Sequence, residues 1–320
     1  MSESSAVLQG PSLSARAAAV PGVAYILVLL LVGFSLAGHG FATVGNVRNI
    51  GVQSATLMLL ALPMTLIIMS EGLDLSMGAV LSLCGVVLAL TLVKGAALPL
   101  AFAAAAAVGL AFGIANGLLV VALGIPPFVA TLGTLGIAEG IALTLTGGQS
   151  VVGVGEALGE LYNSAPLGVP FPILLAATAY LVFHFVLYHT RFGVYVFAIG
   201  GNREALVLAG ARANRHHVAI YVLGGLLAGV AALLLTGRMN SGHPTAAIGM
   251  EFDAIAAVVV GGTALERGNG WLPGTVLGVL TVGVLRNGLN LLAVPSSLQV
   301  ASIGVLVVVV LLIDSLRGKS

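Results

Sequence analysis

Apolar runs long enough to cross a lipid bilayer recur from Val20 almost to the end of the chain. Most hold about 18 to 25 residues, and a helix of that length spans the roughly 30 Å of a bilayer's hydrocarbon core. The fourth run is overlong and the eighth is short, so eight to eleven spans are compatible with the pattern. We predict an all-α membrane protein with about ten spans, at residues 20–37, 51–69, 77–93, 97–123, 127–146, 168–187, 218–236, 251–264, 271–293 and 297–314.

The composition excludes several classes of protein. Of the 320 residues 59% are hydrophobic and only 7% are charged, far below the roughly 25% charged share of soluble domains. A formal net charge of +1 provides no basic field for nucleic acid. The one cysteine, Cys84, can form neither an internal disulfide nor a cysteine zinc site.

Lysine and arginine in the short loops predict the orientation, because cytoplasmic loops are enriched in these residues. With ten spans and a cytoplasmic N-terminus, eight of the twelve fall in inside loops and three in outside loops. We therefore predict that both termini are cytoplasmic. Residues 1–19 are then a cytoplasmic tail and residues 20–317 a single transmembrane domain.

Two polar loops differ from the short turns. The loop at 147–168 falls outside and is acidic; it either meets a soluble partner or caps the bundle. The loop at 188–217 falls inside and holds four arginines. Its centre is typical of a short helix, with Asn202 as N-cap, Glu204 in the first turn and Gly210 as the terminating glycine. This loop is either a solvated surface or a docking helix, and we favour docking, since so short a helix is marginal in water alone.

The two halves of the sequence contain similar strings. Residues 113–118, which include Asn116, resemble residues 284–289, which include Asn287, at an offset of 171. Residues 72–74 resemble residues 249–251 at an offset of 177. The matched spans lie five apart, so the halves would cross the membrane in opposite directions. This pattern predicts an inverted-repeat bundle, a design in which the binding site lies near the midplane.

Few residues within the spans can do chemistry. Glu139 and Arg286 are charged, and a charge inside lipid needs a partner or a water-filled cavity. We predict that they pair with each other, unless either lies at the membrane edge and extends to water. Asn116, Asn287 and Asn290 are amides that suit a hydroxyl-rich solute and are candidates for the substrate path. The alternative for each is a hydrogen bond between helices.

The sequence contains no motif for catalysis, a metal or a cofactor. The histidines lack the helical i, i+4 pair with a carboxylate that a zinc hydrolase uses, and there is no nucleophile elbow. The ending Gly318-Lys319-Ser320 is not a phosphate loop, because residue 313 is Ile where the first glycine belongs. ATP-driven transport would therefore need a separate ATPase. The rival is an ion-coupled secondary carrier, which would need ionisable residues deep in several spans.

Several strings in a fixed order resemble the permease subunits of bacterial ribose-type sugar ATP-binding cassette importers. The resemblance covers about residues 43–314 and rests on the segments 46–53, 71–78, 116–119, 125–133, 146–149, 200–205, 253–257, 261–263 and 287–290. It departs at Glu139, where such permeases are expected to have arginine, and at residues 211–213, where Ile-Asn-Val is expected.

This resemblance implies a heteromeric importer in the bacterial inner membrane. Its parts are two copies of the permease, a cytoplasmic ATPase and a periplasmic binding protein that delivers a monosaccharide or similar small polar solute. The permease itself is not catalytic. By the same resemblance the ATPase-coupling helix is formed by Gly200, Gly201, Asn202, Arg203, Glu204 and Ala205.

Overall fold

A computed structural model describes residues 22–38, 40–264 and 270–317. The predicted N-terminal tail, residues 1–19, lies outside this part. The described residues contain two paired two-residue strands, β1 (Val151–Val152) and β2 (Ser241–Gly242), and one 3₁₀ turn (Pro166–Gly168). They also form twelve α-helices: α1 (Gly22–Ala37), α2 (Val44–Met69), α3 (Met77–Val93), α4 (Leu98–Val121), α5 (Pro127–Thr146), α6 (Glu156–Asn163), α7 (Phe171–His189), α8 (Arg191–Leu208), α9 (Ala213–Met239), α10 (Met250–Val260), α11 (Leu272–Leu291) and α12 (Ser296–Arg317).

The chain is an all-α, multi-pass membrane protein. Among the described residues six helices are long and apolar enough to cross a bilayer: α2, α4, α5, α7, α9 and α11. Three shorter apolar segments add to them: α1, α3 and the part of α12 from Ser296 to Val310. The predicted eighth span corresponds to α10, whose 11 residues rise only about 16 Å, too little to cross the hydrocarbon core. Ten complete spans are therefore not confirmed.

Helix α2 is the centre of the bundle, since residues 54–69 are all buried. A helix that is apolar on every side is buried on every side. It starts at Val44, seven residues before the predicted span, because Thr43 caps it and accepts a hydrogen bond from the Asn46 amide at 3.3 Å. Polar residues in its first turns hid this extension from a prediction based on hydropathy.

Glycines let helices α4 and α9 approach at backbone distance. A Cβ atom added at Gly109 of α4 would collide with the backbone of Gly225 on α9, and one added at Gly225 would collide with Gly109. Gly113 and Gly117 lie equally close to α9 farther along the same contact. In lipid, where apolar burial gives little driving force between helices, such close packing is a main source of association.

Helices α3 and α10 both begin with buried polar or acidic side chains inside the bundle. Asp74 and Ser76 precede α3 and are 2% and 1% exposed. Glu251 and Asp253 lie in the first turn of α10 and are 1% and 7% exposed. Both helices therefore start at buried polar or acidic side chains, as the discontinuous helices of transporters do.

Candidate functional site

Helices α3 and α10 contact each other near their starts. The Ala247 amide, just before α10, donates to Ser82 Oγ of α3 at 3.0 Å. Gly78 of α3 lies against the Ala247 carbonyl and the Glu251 carboxylate, so a side chain there would displace one of them. The Glu251 carboxylate in turn accepts from the Gly249 amide at 3.0 Å. This contact fixes where α10 begins.

Asn116 is one of the three amides predicted to line the substrate path, and it lies in a closed hydrogen-bond network. Its Nδ2 donates to Ser76 Oγ at 2.8 Å and to Asp74 Oδ2 at 3.2 Å, while its Oδ1 accepts from Thr134 Oγ1 at 2.7 Å. Ser76 also donates to Asp74 through its amide and its hydroxyl. The side chain is buried and its hydrogen bonds join α4 to α5 and to the start of α3, which favours the alternative of an interhelical contact.

Asn287 of α11 has the same kind of role. It exchanges two hydrogen bonds with Asn46 of α2, at 2.9 and 3.0 Å, and is 3% exposed. This reciprocal pair fixes the register of the two helices. Of the three predicted amides, Asn290 alone faces open space.

That space is a cavity of about 740 Å³ between α2, α9, α10, α11 and α12. Its wall is mostly apolar and carries six side chains with charged or amide groups: Gln53, Arg238, Asp253, Arg286, Asn290 and Gln299. The volume falls within the roughly 300–1,000 Å³ typical of small-molecule sites. A cavity of this size with a few polar groups is the candidate solute site.

Arg286 pairs with Asp253, and the predicted pairing with Glu139 is wrong for this chain. The Arg286 Nη2 group donates to Asp253 Oδ2, the one salt bridge between described side chains. Glu139 lies on α5, which packs against α3 and α4, whereas Arg286 lies on α11, which packs along α10. Sequence reasoning missed Asp253 because the short span that carries it was treated as an ordinary span.

The predicted coupling segment lies in α8, which is longer than expected and breaks at Asn202. The side chain of Asn202 accepts from the Ala205 amide at 2.8 Å, and Gly210 takes a positive φ of 77° after the helix, so both capping predictions are confirmed. Arg203 donates to Asn214 Oδ1 of α9 at 2.9 Å and ties the segment to the bundle.

The surface of this segment is accessible. Gly200 is buried, and Gly201, Asn202, Arg203, Glu204 and Ala205 are exposed. Farther along the same segment Val207 and Leu208 expose 53% and 87% of their surface. Adjacent exposed apolar and charged side chains on a capped helix are typical of a docking surface.

The sequence from 46 to 311 matches the family described as the permease component of branched-chain amino acid transport systems. The chain belongs to this family, and it is a permease, the membrane-embedded part of a transport system. The resemblance noted from the sequence is thereby confirmed.

Among known relatives, the ribose import permease of Escherichia coli K12 is 38% identical over 293 residues, 90% of this chain and 91% of that protein. The ribose import permease of Bacillus subtilis 168 is also 38% identical, over 92% of this chain and 91% of its own length. The D-allose transport system permease of Escherichia coli K12 is 33% identical, over 93% and 92%. No solved structure matches the chain.

Proposed function

We propose that this chain is the membrane-spanning subunit of an ATP-binding cassette importer for a monosaccharide or similar small polar solute. The similarity to ribose and allose permeases over nine-tenths of the chain is the observation that carries the proposal. In this assembly two copies of the chain lie in a bacterial inner membrane, a cytoplasmic ATPase supplies the energy and a periplasmic binding protein delivers the solute. The chain forms the path and does not hydrolyse ATP.

In the proposed assembly the ATPase contacts the coupling segment Gly200–Ala205, exposed except at Gly200, together with the exposed Val207 and Leu208 that follow it. The segment's break at Asn202 and its tie to α9 through Arg203 give it a fixed orientation. A rigid, capped helix can transmit a displacement of the ATPase to α9, whereas a flexible loop would absorb it. We propose that the outer loop both caps the bundle and meets the binding protein. Leu158 of α6 is buried in the bundle, whereas Glu156 and Glu160 are exposed on the side of the proposed binding protein.

The inverted repeat with about ten membrane segments is part of the proposal, and the helix packing supports it. Under a shift of five segments, the contact of α4 with α9 corresponds to that of α11 with α2, and that of α3 with α9 to that of α10 with α2. The contacts of α3 with α4 and α5 likewise correspond to those of α10 with α11 and α12. Helices α1 and α7 lie outside this correspondence, since α1 packs on α11 and α7 on α2.

Both termini are proposed to be cytoplasmic, on the strength of the arginines around the coupling segment. A second copy has a suitable surface on α5, where an added Cβ at Gly133, Gly136 or Gly140 would meet no atom within 4 Å. Small residues at this spacing allow another helix to approach closely.

An ion-coupled secondary carrier is the second candidate, favoured by the buried acids Asp74 and Glu251. Both carboxylates are held by hydrogen bonds at helix starts, and neither lines the large cavity. They therefore have a structural use without ion coupling.

Reconstitution separates the two candidates. The chain is placed in proteoliposomes with and without its ATPase and binding protein, and uptake of radiolabelled ribose, allose and arabinose is measured with ATP or with an ion gradient. We expect uptake that requires ATP and all three components. Uptake by the chain alone, driven by a proton or sodium gradient, would refute the importer proposal.

A further inference from the structure

The Asp253–Arg286 pair on the cavity wall is unusual for its position in a membrane protein. Burying an ion pair costs desolvation energy, and in many folds it contributes little net stability. Here the Arg286 side chain keeps 39% of its surface and Asp253 keeps 10%, both within the wall of the 740 Å³ cavity. The pair is therefore open to whatever occupies that cavity.

The internal repeat shows that the ion pair occurs in only one half of the chain. At the offsets of 177 and 171 the positions equivalent to Asp253 and Arg286 are Ser76 and Ala115. The next residue in each half is an asparagine, Asn116 or Asn287, and each of the two forms hydrogen bonds between helices. At the equivalent place the first half joins α3 to α4 through the neutral contact of Asn116 with Ser76, so the ion pair is particular to the second half.

The hydrogen-bond donors and acceptors that remain around the ion pair indicate which kind of ligand it can bind. The guanidinium carries five N–H donors, and the contact with Asp253 uses the Nη2 group, so donors remain for a ligand. Asn290 and Gln299 add amides that both donate and accept, on the same wall. Hydroxyl groups also donate and accept, and a pair of neighbouring hydroxyls can bridge a carboxylate and a guanidinium without disturbing their charge balance.

We propose that Asp253, Arg286 and Asn290 form a station on the permease wall that binds neighbouring hydroxyls of a neutral, polyhydroxylated solute during passage. The proposal rests on the importer function and assigns its selectivity within the membrane to these three residues. At this pair a singly charged solute is disfavoured, because binding it would require one member of the pair to give up its partner inside the membrane. Arg238, the third charged side chain of the wall, is exposed in the last turn of α9. An amino acid zwitterion is disfavoured for the same reason, since its two charges would have to separate the pair.

The test uses the complete complex with ATPase and binding protein in proteoliposomes. Arg286→Lys retains the positive charge opposite Asp253 and removes the planar donor fork. We expect the initial rate of ribose, allose or arabinose uptake to fall about tenfold, the loss expected for one or two charge-assisted hydrogen bonds, with ATP hydrolysis stimulated by the binding protein unchanged. Asn290→Ala should lower uptake in the same way.

A neutral double variant, Asp253→Asn with Arg286→Gln, keeps the test valid if the lysine variant folds poorly; uptake should again fall while stimulated ATP hydrolysis persists. The matched control is Glu139→Gln, which removes an intramembrane charge on α5 away from the cavity wall and should transport like the wild type. Size-exclusion profiles establish that each variant is folded.

The outcomes separate the two proposals. Absence of ATP-dependent uptake by the wild-type complex refutes the importer function and this inference with it. Normal wild-type uptake with variants equal to Glu139→Gln refutes the inference alone. Folded variants that lose stimulated ATP hydrolysis together with uptake, or a wild-type complex that prefers leucine to the three sugars, also refute it.

Discussion

A methyl group added at Gly109 of α4 has no room, because the nearest atoms are the backbone of Gly225 and Gly229 on α9. Backbone atoms of a packed helix cannot rotate away as a side chain can, so Gly109→Ala must push α4 and α9 apart. Overpacking of this kind costs about 1–3 kcal/mol, and the rigid obstruction favours the upper end. The intrinsic preference of helices for alanine returns about 1 kcal/mol at any helical glycine.

The control is Gly33→Ala on α1, which separates the effect of the collision from that of helix propensity. It makes the same chemical change within an apolar helix, but an added Cβ there meets no atom within 4 Å. The two variants should therefore differ in unfolding free energy by about 1–3 kcal/mol, with Gly109→Ala the less stable. The difference between variants is more reliable than either value alone, since both share the same unfolded reference.

The assay is SDS-induced unfolding in mild detergent, followed through the fluorescence of Trp271, the one tryptophan of the chain. Gly225→Ala, the reciprocal change on α9, should behave like Gly109→Ala. Equal stability of Gly109→Ala and Gly33→Ala would show that the two helices are not in backbone contact, and the packing argument for α4 and α9 would fail.

Three further predictions concern polar contacts. Asn46→Ala and Asn287→Ala should each lower the free energy of unfolding by about 1–3 kcal/mol, because each single change leaves the other amide without its partner. The double variant should lose clearly less than the sum of the two, and additive losses in the same unfolding assay would contradict the reciprocal pair. Arg203→Ala with Glu204→Ala should abolish ATP-dependent uptake in vesicles while insertion stays normal, and unchanged uptake would count against the coupling role. Reversing the charges of Arg286 and Glu139 together should lower uptake by the sum of the single effects. Reversing the charges of Arg286 and Asp253 together should instead recover part of the uptake lost in the single variants. Recovery in the first double variant and not in the second would support the pairing predicted from the sequence.

Hydropathy located the spans because each run must match the thickness of the bilayer, a constraint that acts on the sequence one segment at a time. It failed where polar residues continue a helix, as at the start of α2, and where a short apolar run is a half-helix, as in α10. Capping at Asn202 and Gly210 could be predicted because those signals are local.

The partner of Arg286 could not be predicted in the same way. Pairing inside a bundle depends on which helices are neighbours, and nothing in the two strings places α11 beside α10 and away from α5. The assignment to Glu139 counted charges within spans, whereas the actual partner is an acid at the buried start of a half-helix. The repeat at offset 177 pointed towards this end of α10, through the match of Asp74 with Glu251, without indicating that Asp253 would face the cavity.

The charged side chains of this chain differ in their hydrogen-bond and ion-pair partners. Asp74 and Glu251 are satisfied by amides and hydroxyls at helix starts, where the helix dipole also favours a negative charge, so they stabilise the scaffold. Arg203 donates to Asn214 and is otherwise exposed at the bundle's end, so it is accessible to a soluble protein. Arg286 and Asp253 are satisfied by each other across a wall that also faces open space. A solute that replaces water there can exchange hydrogen bonds with the pair without unpairing it, which permits binding weak enough for release and selective enough to exclude charge.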